Sequence, residues 1–345
     1  MIRTVSAIAA SLTCLCWSGL AQASPAYALA NNKTTLVRFD TSAPMTVVTV
    51  GALSGAAAQL DGIDFRPADG RMYGYQSSTG NIYLVDTGSG ATTLVSTSAS
   101  PVPNFMGIDF NPAADRLRVV GAGDENRRIN ISTGATLIDG MLAYAAGDAN
   151  AGVNPNIIDA AYTNNDRLPG TGTTLYYLDY LLNSLVTTAN PNAGVLNTVG
   201  SLGVLVDGFL GFDIFTDAGG INTAFASLRV GGKQGLYNIN LATGAASLVG
   251  GLGMDALNGL AVPPCLNRVR WACWHWAASA CWRCAGAPGP ERPLRPPGPR
   301  GPGDGCARHR RSAGRAKSRV LASDDQGFPG QFLESTALPR QDPFP

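Results

Sequence analysis

The chain has 345 residues, with 25 Lys+Arg against 24 Asp+Glu, two His and seven Cys. Near-neutrality is an average over unlike pieces: residues 31–262 carry 11 basic and 18 acidic groups, whereas residues 263–345 carry 13 and 6. The acidic body holds no His, Cys or Trp, which argues against a phosphate-binding basic stripe and removes a thiol nucleophile, the usual zinc ligands and the commonest general base.

Residues 1–30 read as an export signal. Arg3 supplies the positive start, "VSAIAASLTCLCWSGLA" the apolar stretch, and small residues offer processing points after Ala23, Ala28 or Ala30. A secreted or periplasmic bacterial protein is expected. No later stretch is apolar enough to span a membrane.

Residues 31–262 are a repeat. "LDGIDFRP" (60–67), "FMGIDFNP" (105–112), "NIIDAAYT" (156–163), "FLGFDIFT" (209–216) and "LNGLAVPP" (257–264) share one template. Four copies carry an Asp (Asp64, Asp109, Asp159 and Asp213), and Ala261 stands in the fifth. Intervals of 45, 50, 54 and 48 residues match propeller blades. After each template strand comes a second strand, then a pair of alternating runs about a turn such as D/N-x-x-T-G, as in "RRINISTGATLID" (127–139) and "GLYNINLATGAASLVG" (235–250). Gly supplies the positive φ of such turns, and Asp or Asn caps them. A fifth hairpin, "LVRFDTSAPMTVVTV" (36–50), precedes the first template, and no hairpin follows the last. The two ends therefore complete one blade between them. The fold predicted is all-β: a five-bladed β-propeller whose N-terminal outer strands close the ring on a C-terminal inner strand. An open solenoid, or six blades with one degenerate within 159–213, are the alternatives.

Residues 263–345 differ from everything before them. "VPPCLNRVRWACWHWAASACWRC" (262–284) concentrates Trp, Cys, His and Arg. Arg268, Arg270 and Arg283 break any membrane helix, and a thiol-rich metal knot suits export poorly. Trp has the single codon TGG. With GC-rich codons, reading one frame off after Pro263 gives L-P-E-P-G-A-L-G-L-L-A-L-G, the positions beside Trp being forced, and this is similar to the Pro-Glu-Pro C-terminal sorting tails of exopolysaccharide-making bacteria. The segment is read as a frame-shifted, disordered tail that carries no functional residue.

"GIDFNPAADRLRVVGAGDENRRINISTGA", "AAYTNND", "ANPNAGVLNTVGSLG" and "LYNINLATGAASLVGGLG" resemble a secreted bacterial family, domain of unknown function 4394. The resemblance covers nearly all of 31–262. It implies a propeller-like fold and brings no catalytic residues.

The repeated Asp64, Asp109, Asp159 and Asp213 are the sharpest constellation. Converging on a channel, they would offer the oxygens that Ca²⁺ takes. Recurrence in each blade instead favours a structural role. Arg71, Arg116 and Arg167 follow these Asp at nearly fixed spacing, so an Asp–Arg bridge in each blade is expected. "DENRRIN" (124–130) clusters Glu125, Arg127 and Arg128, a candidate grip for a sugar carboxylate or sulfate. No cofactor is expected, Ca²⁺ being the one ion the Asp ring would suit. Two functions stay open. One is a non-catalytic exported propeller that binds extracellular polysaccharide or another surface protein. The other is a five-bladed glycosidase-like or metal-dependent hydrolase, which Glu125, as the body's single Glu, leaves short of carboxyl pairs.

Overall fold

A computed structural model describes residues 23–102, 105–166 and 171–265. Residues 1–22 of the expected leader, Arg167, and the tail from 266 onward lie outside them.

The chain starts with β1 (Pro25–Ala30), β2 (Thr35–Asp40) and β3 (Ala43–Ala52). The second blade follows as β4 (Ser54–Gly55), β5 (Gly62–Arg66), β6 (Arg71–Gln76), β7 (Asn81–Val85) and β8 (Ala91–Thr97). The third is β9 (Phe105–Asn111), β10 (Arg116–Gly121), β11 (Asn126–Ile129) and β12 (Thr136–Ile138). The fourth is β13 (Ala143–Tyr144), β14 (Ile157–Tyr162), β15 (Leu175–Asp179), β16 (Ser184–Asn190) and β17 (Val195–Ser201). The fifth is β18 (Val206–Thr216), β19 (Asn222–Val230), β20 (Lys233–Ile239) and β21 (Ala246–Gly251), and β22 (Asn258–Ala261) ends the ring. Five sheets form, and the first has the order β22-β1-β2-β3. A five-bladed propeller therefore closes by joining the last strand to the first three. The open solenoid and the six-bladed ring are set aside.

The predicted hairpin at 36–50 is β2–β3. One element was missed. β1 pairs with both β2 and β22 and lies within the residues read as leader, so the ring begins at Pro25 rather than at residue 31. Of the three processing points read from the sequence, Ala23 alone precedes β1. An alternating run this short and Ala-rich, placed beside a real apolar segment, has no signal of its own.

Each blade presents one apolar face to the blade before it and another to the blade after. Ile63 and Phe65 of β5 pack on Leu29 and Leu36 of the first blade. From the opposite face of the second blade, Tyr73 and Tyr75 of β6 pack on Ile108, Phe110 and Leu117 of the third. The core is thus five slabs between neighbouring sheets, as period-two alternation demands. In the fourth–fifth slab, Ala161 and Leu178 meet Phe212 and Ile214.

At the rim, each outer hairpin is tied to the segment that leaves the preceding blade. Ser54 N–H donates to Gly90 O at 3.3 Å, Ala99 N–H to Gly134 O at 3.1 Å, and Gly140 N–H to Asn192 O at 3.0 Å. Ala246 N–H donates to Leu202 O at 2.9 Å, and Gly253 N–H to Pro44 O at 3.3 Å. The cycle includes the closing pair. The D/N-x-x-T-G motif makes these contacts possible. In the second, third and fifth blades the side chain of Asp86, Asn130 or Asn240 accepts the N–H two residues on, and the glycine sits at φ +79°, +72° or +82°.

Candidate axial site and channel mouth

The five inner strands approach one another so closely that one rank of residues must be nearly bare. A Cβ on Gly211 would stand 2.6 Å from Leu260 N, and one on Gly107 would stand 2.7 Å from Asp159 Cα. These contacts place Gly107 level with Asp159, and Gly211 level with Gly259. Gly62, Gly107, Gly211 and Gly259 therefore share one tier of the channel wall, and Asp159 fills the fifth place.

This placement corrects the sequence alignment. Asp64, Asp109 and Asp213 sit two residues further along their strands than the glycines. Each of them accepts an N–H from the next blade: Phe110 N to Asp64 Oδ2 at 2.7 Å, Val262 N to Asp213 Oδ2 at 2.6 Å, and Tyr162 N to Asp109. Each donor lies one residue past the tier position of its own strand. The residue of β14 in register with the three Asp is therefore Ala161. Asp159 obeys the same rule one step higher, accepting Phe212 N at 2.8 Å. In β14 the carboxylate therefore stands at the position that glycine holds in the other four inner strands, two residues nearer the channel entrance, about 6.7 Å at strand rise. The lower tier is therefore Asp64, Asp109, Ala161, Asp213 and Ala261.

The lower carboxylates are buried, and Asp64, Asp109 and Asp213 each offer an oxygen within 4.8 Å of the others. Asp159 stands outside that group. Asp64 and Asp213 also accept the following N–H of their own strand, Phe65 N and Ile214 N, each at 2.6 Å. Each of the four Asp therefore ties its own blade to the next through a backbone N–H. Burial pushes Asp213 up to about 7. Burial, followed by the charges of neighbouring Asp, raises Asp64 and Asp109 well above the ordinary value, and burial raises Asp159 likewise.

The expected Asp–Arg bridges do not form at the described positions. Arg71 is exposed, its N–H bound to Asp69, and Arg116 donates to the Asp115 carbonyl at 2.9 Å. Both lie at the start of a second strand, away from mid-strand Asp64 and Asp109. The Arg bridge that joins the second and third blades there is Arg66 to Asp115, a bidentate pair at 2.7 and 2.5 Å. A second network, without a sequence signal, fills the third–fourth interface. Arg118 is fully buried and donates to Tyr162 Oη at 2.6 Å, to Asn126 Oδ1, to Asp139 Oδ2 at 3.2 Å and to Asn192 Oδ1 at 3.1 Å.

Glu125, Arg127 and Arg128 are close in sequence, but their side chains have separate surroundings. Arg128 closes its fork on Asp139 at 2.7 and 2.8 Å, and Glu125 accepts Gly123 N at 2.8 Å. Arg127 faces the other side of β11, toward Tyr75, whose hydroxyl feels its charge. None of the three lines the channel mouth.

The mouth is a cavity of about 380 Å³ above the glycine tier, lined among others by Lys33, Asp61, Asn156, Asp159, Tyr180 and Asn258. The β1–β2 turn reaches it through three consecutive left-handed residues, Asn31, Asn32 and Lys33, at φ 52°, 55° and 66°. Lys33 Nζ lies 3.3 Å from Asp61 Oδ1. Ser77 donates to Asp61 Oδ2 through N–H at 2.8 Å and Oγ at 2.7 Å. Burial acts to raise Asp61, but the Ser77 bonds and Lys33 outweigh it and hold the carboxyl below its ordinary value.

The sequence profile of the domain of unknown function DUF4394 matches residues 35–261. The chain belongs to the DUF4394 family. No curated protein matches the chain. Among solved structures, a structural-genomics protein of unknown function from Bacteroides thetaiotaomicron VPI-5482 is similar at TM-score 0.42 and 16% identity. That likeness covers 68% of this chain, which spans 62% of the other's length. A nidogen/laminin complex gives TM-score 0.42 at 12% identity, covering 71% of this chain and all of that one. The fold of this DUF4394 member rests on its own strand pairings. Its matched segment starts after β1, the strand the ring needs for closure.

Proposed function

We propose that this is an exported binding propeller whose channel mouth receives the end of an extracellular polysaccharide. The observation that carries the reading is the 380 Å³ mouth cavity, which is within the range of small-ligand sites. Its lining combines amides (Asn156, Asn258), the Tyr180 side chain, glycine backbone and the Lys33–Asp61 pair, groups suited to hydroxyl-rich ligands. Asp159 breaks the five-fold repetition in the floor and gives the site a polarity that a symmetric channel lacks. The leader-like residues 1–22 and the tail reading support export. Among the described residues no helix is long and apolar enough to cross a membrane.

A hydrolase reading draws on one observation. Asp61 is held ionised and Asp159 is pushed toward its neutral form, and both line the same cavity. Opposed protonation is what an acid and a base need. Calorimetry with soluble bacterial polysaccharides separates the two. Binding without release of reducing ends, weakened about tenfold in Asn258→Ala or Lys33→Ala by loss of one polar contact, is the expected result. Equal binding by wild type and both variants would remove the mouth from the proposal, and release of reducing ends that Asp159→Asn abolishes would make it an active site.

A further inference from the structure

Asp64, Asp109 and Asp213 converge in one tier from three strands, β5, β9 and β18. Around them, β14 brings Tyr162 beside Asp109 and Asp159 in the tier above. β6 brings Tyr73 opposite Asp64, and β10 brings Arg118 opposite Asp109. β22, Asn258–Ala261, brings no titratable group. The guanidinium of Arg118 is turned to Tyr162, Asn126, Asp139 and Asn192. Among the described residues no Lys or Arg pairs with the three carboxyls. Buried carboxyls at this spacing cannot all carry charge, because each charge disfavours the next and none is solvated.

We propose that Asp64, Asp109 and Asp213 share protons across the axis, so that this tier is a pH-sensitive latch for the ring. Each carboxyl ties its own blade to the next: second to third through Phe110 N, third to fourth through Tyr162 N, and fifth to first through Val262 N. Protons held on this tier remove the repulsion between carboxyl oxygens that lie within 4.8 Å of one another, across non-adjacent blades as well. On its loss the same atoms repel, and three of the five blade junctions are strained together. The sign follows from where the protons are bound. The folded ring keeps them to about pH 7, judged by Asp213, and the unfolded chain releases them near the ordinary value of 3.8. The tier's contribution to stability is therefore greatest below about pH 4 and is lost as pH rises through 7.

The test is thermal unfolding of the full chain between pH 5 and pH 8, with infrared detection of the protonated carboxyl stretch. Asp159→Gly serves as background, so that the infrared signal reports the lower tier. The melting temperature is expected to fall by roughly 5–15 °C over this range, with a protonated-carboxyl band at pH 7 that fades at higher pH. Asp64→Ala/Asp213→Ala should flatten the profile. Ala161 and Ala261 already occupy equivalent places, so the substitution has precedent within the ring. Should that variant fail to fold, the infrared band of the Asp159→Gly protein decides alone. A flat wild-type profile, absence of the band at pH 7, or a slope unchanged in the double variant would overturn the proposal. So would Ca²⁺ raising the melting temperature at pH 8 while removing the band at pH 7, which would make the tier a cation site.

Discussion

At the axis, Gly107 and Gly211 are required by distance rather than by turn geometry. Gly107 has an ordinary backbone conformation, yet a side chain there would run into Asp159, with Cα 2.7 Å from the added carbon. Both neighbours are backbone-anchored, so relief needs the third and fourth blades to part. Gly107→Ala should destabilise by about 2–4 kcal/mol, at the upper end for overpacking, read as a fall in melting temperature with unchanged far-ultraviolet dichroism. A loss below about 0.5 kcal/mol would mean that the inner strands are looser than described. Arg118 is the counterpart on the polar side. Its buried fork is tolerable because Asp139, Asn126, Asn192 and Tyr162 all receive it, and removing one member would leave a buried charge underpaired.

Among the elements, the outer hairpins do more than end each blade. Their turns form the rim cycle, and the glycine that ends each turn in the second to fifth blades (Gly90, Gly134, Gly194 and Gly244) is pressed against the chain that leaves the preceding blade. In the third blade a Cβ at Gly134 would stand 2.8 Å from Thr97 C, at φ +72°. Gly134→Ala combines a left-handed backbone penalty with a steric one. The expected cost is about 2–3 kcal/mol, larger than that of the same change at Gly152, which is also left-handed (φ +82°) but has open space around it. Equal losses at the two sites would show that φ alone matters and that the rim contact is idle. The inner strands show why the Asp repeat was partly misread. Spacing from Asp109 to Asp159 and on to Asp213 was 50 and 54 residues, an unevenness absorbed by anchoring on the charged residue. Counted through Ala161 the two intervals are both 52, and the absence of Gly from "NIIDAAYT" was the available sign that β14 had slipped.

For the whole molecule, closure is the decisive event. β1 sits between β22 and β2, so removing it leaves two edges that cannot meet. A chain beginning at Ser24 should therefore melt cooperatively at a higher temperature than one beginning at Asn31, with a difference of several kcal/mol for a lost central strand that buries Ala26, Ala28, Leu29 and Ala30. Identical melting would show that β2–β3 can close the ring unaided. The blade number, the outer hairpins and the joining of the two chain ends were determined by the sequence itself, because turn chemistry and period-two alternation are local and recur five times. Tertiary structure alone decided that Asp159 stands a tier above the other three, that Arg118 is buried while Arg128 is paired with Asp139, and that β1 belongs to the ring rather than to the leader. Each depends on which atoms of a paired strand or neighbouring blade stand opposite, across separations from the 11 residues between Arg128 and Asp139 to the whole ring between Tyr27 and Ala261, and no local pattern reports that register.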